Sequence, residues 1–410
     1  MKEVSGGVCA PRGFRAGGVR CGIKAGSEKR DLALIYAERP CTAAALYTGN
    51  RVKAASVLVS REHLAPGLCQ AVIANSGNAN ACTGQAGLDA ARRMAELAAA
   101  GLSIPPETVA VASTGVIGVP LPVAAIEAGL PALAASLRDD AAGHEAALEA
   151  IMTTDTRKKD GALETEISGR PVRLGAMVKG SGMIHPNMAT MLCFITTDAA
   201  IGRECLDRAL RRAVGRSFNR VTIDGDTSTN DMILIMASAS AGNPPIIREG
   251  PDYEIFAEAL EGLCIKLARA MARDGEGASK LLTVSLRGAA DEGAAETLAK
   301  SVAASSLVKA ACFGADANWG RVLCALGYAG VDFDPQGVEV LFASSVGEVL
   351  VCREGGPVPF SEDRAREILS REEIEIRINL GGRDGGPGAA VVWGCDLTYE
   401  YVRINGDYRS

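Results

Sequence analysis

The apolar positions along this chain alternate between two spacings almost from end to end. DLALIYAE (31–38) and QAVIANSG (70–77) are dense apolar runs that close on small polar residues, which predicts strands ending in loops. GLDAARRMAELAAAGL (87–102) carries its apolar residues three and four apart and stops before Ile104-Pro105-Pro106, predicting a helix. ETVAVASTGVIG (107–118) predicts a strand running into a glycine turn, after which helical spacing continues to about Met152. MLCFITTDA (191–199) has the pattern of a buried strand. RECLDRALRRAVGRSF (203–218) predicts an amphipathic helix, and YEIFAEALEGLCIKLARAMARDGEG (253–277) a long helix stopped by glycine. KLLTVSLRGA (280–289) returns to strand, and the last hundred or so residues repeat the mixture through IEIRINLGG and AAVVWGCDLTYEYVRIN. Such interleaving predicts an α/β or α+β protein whose helices cover layered sheets. No internal repeat or low-complexity linker divides it.

Composition narrows the class. The chain has 410 residues, 48% of them apolar, enough for a large core. Only 4% are aromatic while 47 are glycine, so the core is expected to be Ala, Val, Leu and Ile with backbones in close approach. The 43 basic and 49 acidic residues give a net charge of -6, and no basic stripe stands out, which argues against nucleic acid as a partner. No apolar run reaches the roughly 18 residues a membrane span needs, and MKEVSGGVCAPRGFRAGG lacks a signal-peptide core, so a cytoplasmic protein is expected. The twelve cysteines, Cys9, Cys82, Cys193, Cys264, Cys324 and Cys395 among them, are scattered without a C-x-x-C pair, and buried reduced thiols are expected. His63, His144 and His185 are far apart in sequence, which argues against zinc.

The familiar catalytic motifs are missing: no G-x-S-x-G elbow, no H-E-x-x-H, no nucleotide-binding G-x-x-x-x-G-K-[ST]. His185 is the one histidine in a glycine-rich loop, and a triad built on it is disfavoured. KGSGMIHPNMATMLCFITTDA (179–199) suggests other chemistry. A threonine hydroxyl is a poor nucleophile unless a base lies beside it, and a free α-amine on the same residue, titrating at about 7.7–8.0, can be that base. Freeing the amine requires cleavage just before the threonine, which its own hydroxyl performs by attacking the preceding carbonyl. The acyl group shifts from nitrogen to oxygen and water cleaves the ester. That chemistry needs a small preceding residue (Ala189), a glycine-bearing upstream loop (Gly180, Gly182) and a stiff downstream strand from Met191. By spacing alone Thr190 also reads as an ordinary strand-start threonine.

Other stretches supply supporting chemistry. Thr114 and Gly115 end a strand in ASTGVIG, where a turn can aim N–H and hydroxyl donors at an oxyanion or be a plain turn. NSGNANACTG (75–84) caps a helix or lines a pocket. Glu276, among the glycines of DGEGASK, can grip an ammonium group or mark a solvated helix end. IDGDTSTND (223–231) is acidic but lacks EF-hand ligand spacing, and reads as structural or pocket-lining.

Together these stretches resemble the ornithine acetyltransferase (bifunctional glutamate N-acetyltransferase) family of arginine biosynthesis. The resemblance rests on APRGFRAGGVRCGIK, NSGNANACTG, STGVIG, IMTTDT, MVKGSGMIHPNMATMLCFITTDA, IDGDTSTND, DGEGASK and DANWGRVLCALGYAG, and covers essentially the whole chain. It implies an αββα layering akin to the β-peptidyl aminopeptidases. It implies self-cleavage between Ala189 and Thr190 into segments 1–189 and 190–410 that co-fold, with a C-terminal lobe from about 281 to 410 and an α2β2 assembly. It implies a ping-pong transfer in which Thr190 takes acetyl from N2-acetylornithine and passes it to glutamate. Thr114 and Gly115 match the oxyanion hole. Thr153 (or its neighbour Thr154), Lys179, Thr190, Glu276, Asn405 and Ser410 match substrate contacts, the last two closing the pocket. No metal or cofactor is implied, and acetyl-CoA stays open as a second donor. The resemblance assigns His185 no role. The alternative is an N-terminal-threonine aminopeptidase or amidase of the same fold.

Overall fold

The computed structural model describes residues 1–185, 191–381 and 385–407. Its strands are β1 (Lys2–Glu3), β2 (Phe14–Val19), β3 (Leu32–Tyr47), β4 (Leu68–Asn78), β5 (Val109–Val116), β6 (Lys159–Ile167), β7 (Arg170–Lys179) and β8 (Leu192–Thr197), then β9 (Val221–Thr222), β10 (Met232–Ala237), β11 (Leu281–Ala289), β12 (Glu339–Ser344), β13 (Gly347–Arg353), β14 (Gly356–Pro357), β15 (Glu373–Asn379) and β16 (Gly388–Cys395). Nine belong to one sheet in the order β1-β6-β7-β8-β10-β3-β4-β5, with β2 also on β3.

β3 folds that sheet into two layers. Its first part, Leu32–Tyr36, lies between β2 and β4, and its last, Thr42–Tyr47, pairs with β10; a register break between Tyr36 and Cys41 separates them. Strand side chains alternate between faces, and the alternation shows the layering. Ala33, Ile35 and Ala43 share one core with Val72 and Ala112 of β4 and β5 and with Met177, Leu192, Phe194 and Leu234 of β7, β8 and β10. Leu32 and Leu34 turn away, into the core that Ile73, Met94 and Ile126 complete beneath helices Gly84–Leu102 and Val123–Ala135. Ala44, Cys193, Ile195 and Ile233 pack on the other outer face, beneath helices Arg203–Gly215 and Pro251–Arg273. The result is the expected αββα sandwich.

β8 and β10 are inserted between β7 and β3. β8 runs antiparallel to β7, from Lys179↔Leu192 to Leu174↔Thr197, and parallel to β10. The chain after residue 191 is thus laced into the same sheet as the chain before residue 185.

The second sheet has the order β14-β13-β12-β15-β11-β16-β9. Leu282, Val284, Phe342 and Ile376 face helices Glu292–Ala304 and Trp319–Gly327 in a separate core, and Ser285, Glu375 and Arg377 occupy the opposite face. Short β9, parallel to β16, ties this sheet to the sandwich.

The predicted strand 31–38 continues to Tyr47, through polar Glu38-Arg39-Pro40 at the register break. The hairpin of β6 and β7 escapes period reading because KDGALETEI is charged; it turns at Ser168-Gly169, both at positive φ. All twelve cysteines are free. Cys82 and Cys324, expected to be buried, are exposed; Cys324 lies on helix Trp319–Gly327, which buries Val322, Ala325 and Leu326 instead.

Candidate active site

Thr114 and Lys179 approach each other from opposite layers of the sandwich. Thr114 continues the inward register of Ala110 and Ala112 on β5, and Lys179 that of Met177 on β7. Both are buried, and Lys179 Nζ donates to Thr114 Oγ1 at 3.4 Å. Gly115 follows at φ 132°, where β5 bulges against β4, and a Cβ there would run into the backbone of Gly77 and Asn78. Only glycine permits that approach. Leu192, the first residue of β8, is registered against Lys179. The end of β5, the end of β7 and the start of β8 therefore converge at one end of the space between the layers.

A buried charge cluster supports this corner. Asp155 Oδ1 accepts from Lys159 Nζ at 2.6 Å and from the Gly180 N–H at 2.8 Å, and Asp155 Oδ2 accepts from the Thr153 N–H at 2.9 Å. Lys159 Nζ also lies 2.5 Å from Asp274 Oδ2, at the end of helix Pro251–Arg273. Asp274 accepts the N–H groups of Thr156 and Arg157 at 3.1 and 3.3 Å. Burial pushes the Asp155 carboxyl up, but the charges of Lys179 and Lys159 outweigh it and hold it well below the usual carboxylate range. Burial pulls Lys179 down from the ordinary ammonium value, with Asp155 and Glu276 opposing. Lys24, half-buried, donates to Met152 O at 2.7 Å, and burial lowers it to about 8.

Glu276 lies on the glycine turn after helix Pro251–Arg273. Its N–H donates to Ser181 O at 2.7 Å, and a Cβ on Gly182 would collide with its carboxylate, so the loop after β7 and Glu276 lie against each other. Asn405, on the helix Tyr399–Asp407, donates its Nδ2 to Glu276 Oε2 at 2.9 Å. Thr154 Oγ1 lies 2.8 Å from Ser181 Oγ, whereas Thr153 meets Asp155 through its backbone. Of the residues singled out in the sequence, Thr114, Gly115, Thr153, Lys179, Glu276 and Asn405 are gathered here; Ala189, Thr190 and Ser410 lie outside the described residues.

The histidines stay apart. His185 Nδ1 lies 3.2 Å from Thr222 Oγ1, and burial, then Lys300, lowers its pKa. His144 is buried between the Val8 N–H and Asp160, and His63 lies against Val109 O. Among the described residues no cluster of three His, Cys, Asp or Glu side chains could hold a metal, and no helix is long and apolar enough to cross a membrane.

Residue reading missed Asp155, Lys159 and Asp231. The first two sit in TTDTRKKD, which looks like a solvated charge run, and only the fold takes it inside. Asp231 closes IDGDTSTND. It is fully buried, and Asp231 Oδ1 accepts the Met191 N–H at 3.0 Å. Burial pushes its carboxyl well above the usual range, with the Met191 N–H and Lys179 pulling the other way.

The comparisons with known proteins point one way. A sequence profile of the ArgJ family matches residues 15–410. The arginine biosynthesis bifunctional protein ArgJ of Symbiobacterium thermophilum is 52% identical over 411 residues, all of both chains, and ArgJ 1 of Clostridium acetobutylicum is 48% identical over 397, covering 97% of this chain and 96% of its own. A solved structure of ornithine acetyltransferase complexed with ornithine, from Mycobacterium tuberculosis, is 42% identical and covers 46% of this chain and 96% of its own, with a TM-score of 0.42. With full-length relatives at this identity and a family match over nearly every residue, the chain belongs to the ArgJ family.

Proposed function

We propose that this protein is a self-cleaving N-terminal-threonine acetyltransferase of arginine biosynthesis. The chain is cut between Ala189 and Thr190, and the freed α-amine is the base for the Thr190 hydroxyl. In the first half-reaction Thr190 Oγ adds to the acetyl carbonyl of N2-acetylornithine while the amine takes the hydroxyl proton. The N–C bond breaks, the leaving nitrogen receives that proton, and ornithine departs from acetyl-Thr190. In the second, the α-amine of glutamate attacks the ester, its C–O bond breaks, and Thr190 Oγ recovers a proton as N-acetylglutamate leaves. Thr114 Oγ1 and the Gly115 N–H stabilise the oxyanion in both. Lys179 offsets the substrate α-carboxylate, and Glu276, held by Asn405, pairs with the ornithine ammonium. Thr153 and Ser410 complete the substrate contacts. None of these steps uses a metal or organic cofactor.

The observation that carries this reading is the convergence of Thr114–Gly115, Lys179 and the start of β8 at one end of the interlayer space, in a chain of the ArgJ family. The topology supports the continued association of the two segments. β7 and β8 form a ladder across the cleavage point, and β10 pairs with β3, so cleavage removes one covalent bond and leaves the sheet intact. Assembly as α2β2 in the cytoplasm, and acetyl-CoA as a second donor to glutamate, extend the same reading; the word bifunctional in the relatives' names favours a second donor.

The test is mass spectrometry of the purified protein after incubation with N2-acetylornithine. The expected result is two fragments, with one acetyl group on the fragment beginning at Thr190 and transfer to added glutamate. Thr190→Ala is expected to remain one chain and to lose turnover. Ornithine released equally fast without glutamate would make the protein an amidase instead, and acetyl-CoA as sole donor tests the second activity.

A further inference from the structure

The acidic segment IDGDTSTND is absorbed neither by the proposed acetyl transfer nor by a metal. Asp224 lies against the loop that follows β7: the Met183 N–H donates to Asp224 Oδ2 at 2.5 Å and the Ile184 N–H to Asp224 Oδ1 at 2.8 Å. The backbone joins in, since the Ile223 N–H donates to Ile184 O at 2.8 Å. Met183 has φ 57°, a left-handed conformation that residues other than glycine rarely adopt without external support. Seven residues after Asp224, Asp231 accepts the N–H of Met191, the residue before β8, and the Met232 N–H donates to Met191 O at 3.1 Å. Asp231 is fully buried, and among the described residues no side chain or N–H meets its Oδ2 at hydrogen-bond geometry. Between the two carboxylates, Asn230 Nδ2 donates to Ser113 O at 2.8 Å, next to Thr114, and to Ala79 O at 2.6 Å.

We infer that the segment Ile223–Asp231 is a splint for the cleavage reaction: Asp224 fixes the backbone at Met183–Ile184, Asp231 fixes it at Met191, and Asn230 braces the turn at Thr114. The inference rests on the proposed cleavage at Ala189–Thr190. An N-to-O acyl shift requires the hydroxyl and the preceding carbonyl to be held in register, and a misplacement of an ångström is expensive in such intramolecular steps. Two aspartates of one short segment, Asp231 fully buried and Asp224 partly buried, accept backbone N–H groups on opposite flanks of that bond and supply this restraint. They are positioning residues; neither reacts. Complete burial of an aspartate disfavours folding, which is what a residue retained for positioning shows.

The experiment follows cleavage of full-length protein on denaturing gels, with unfolding midpoints and hydrogen exchange at Met191 as controls on folding. Asp231→Asn keeps an acceptor for the Met191 N–H and is expected to cleave within a few-fold of the parent rate. Asp231→Ala removes the acceptor and is expected to cleave about 10- to 100-fold more slowly, with faster exchange at Met191. Asp224→Asn, left with one acceptor oxygen for the N–H groups of Met183, Ile184 and Asp226, is expected to fall between them. Asp226→Asn, at an exposed position in the same segment, should cleave normally. Equal loss in Asp231→Asn and Asp231→Ala overturns the hydrogen-bond splint, and so does parental cleavage in a folded Asp231→Ala chain. A parent chain that never cleaves overturns the cleavage reading, and the splint with it.

Discussion

In the sandwich, Asp155, Lys159 and Lys179 are almost wholly out of water, 7%, 2% and 4% exposed. In the C-terminal sheet, Arg377 stands on the open face beside Glu375 and Glu348, at 2.8 Å from each, with nearly half of its side chain exposed. The apolar cores beneath the two are alike in make-up, with Phe194 between the sandwich layers and Ile235 on its outer face, and Phe342 and Ile376 under the C-terminal sheet. What differs is where charge is placed. Removing an ion pair from water carries a desolvation penalty that its mutual attraction seldom exceeds, so a buried cluster is poor evidence of stabilisation. Its position at the ends of β5 and β7, against the Gly180 N–H, fits a role in chemistry. The exposed pairs fit a solvated sheet face and little more.

The largest expected effect comes from breaking the buried cluster. Lys159→Met leaves Asp155 and Asp274 without their shared counter-charge and should destabilise the protein by about 3–5 kcal/mol in denaturant unfolding. A loss as small as a surface pair's would erase the contrast between the two regions. Next in size is Glu276→Gln. It should lower kcat/KM for N2-acetylornithine by on the order of 10- to 100-fold, mainly through KM, while self-cleavage proceeds.

Stability against pH sharpens the contrast further. Asp155 has a depressed carboxyl, so its contribution is present above the unfolded value of about 3.9 and is lost as pH falls through the folded value. Asp231 has a raised one, so its contribution is present below about 3.9 and is lost as pH rises through the folded value. Asp155→Asn should therefore flatten the acid side of the unfolding profile, and Asp231→Asn should gain on the parent protein as pH rises from about 4 to 8. Thermal unfolding below about pH 4 reads the first, and thermal unfolding from there up through neutral pH reads the second. The smallest effect belongs to the open face: Glu348→Gln should change stability by under about 1 kcal/mol, and less in high salt.

Much of the frame was legible along the chain. The strands at 70–77, 107–118 and 191–199 and the helices at 87–102 and 253–277 have clean periods, because each packs one face or both against a single kind of surroundings. The β6–β7 hairpin was not legible, since alternating charge there reads as solvated, and neither was the course of β3 through Glu38-Arg39-Pro40. The motif resemblance brought Thr114, Gly115, Lys179, Glu276 and Asn405 into view, and the fold gathers them. Nothing local in TTDTRKKD or IDGDTSTND tells a buried carboxylate from an exposed one.

Sequence by itself determined the alternation of elements, the glycine where β5 meets β4, and the family to which these motifs belong, because periodicity, backbone freedom and local residue types are properties of short stretches. Tertiary structure alone decided that one long strand bends a single sheet into two layers, that Lys179 meets Thr114 across them, and that Asp155, Asp224 and Asp231 each give a carboxyl oxygen to a backbone N–H between Gly180 and Met191. Those contacts join residues tens of positions apart, and whether a charge is buried depends on what the rest of the chain lays over it.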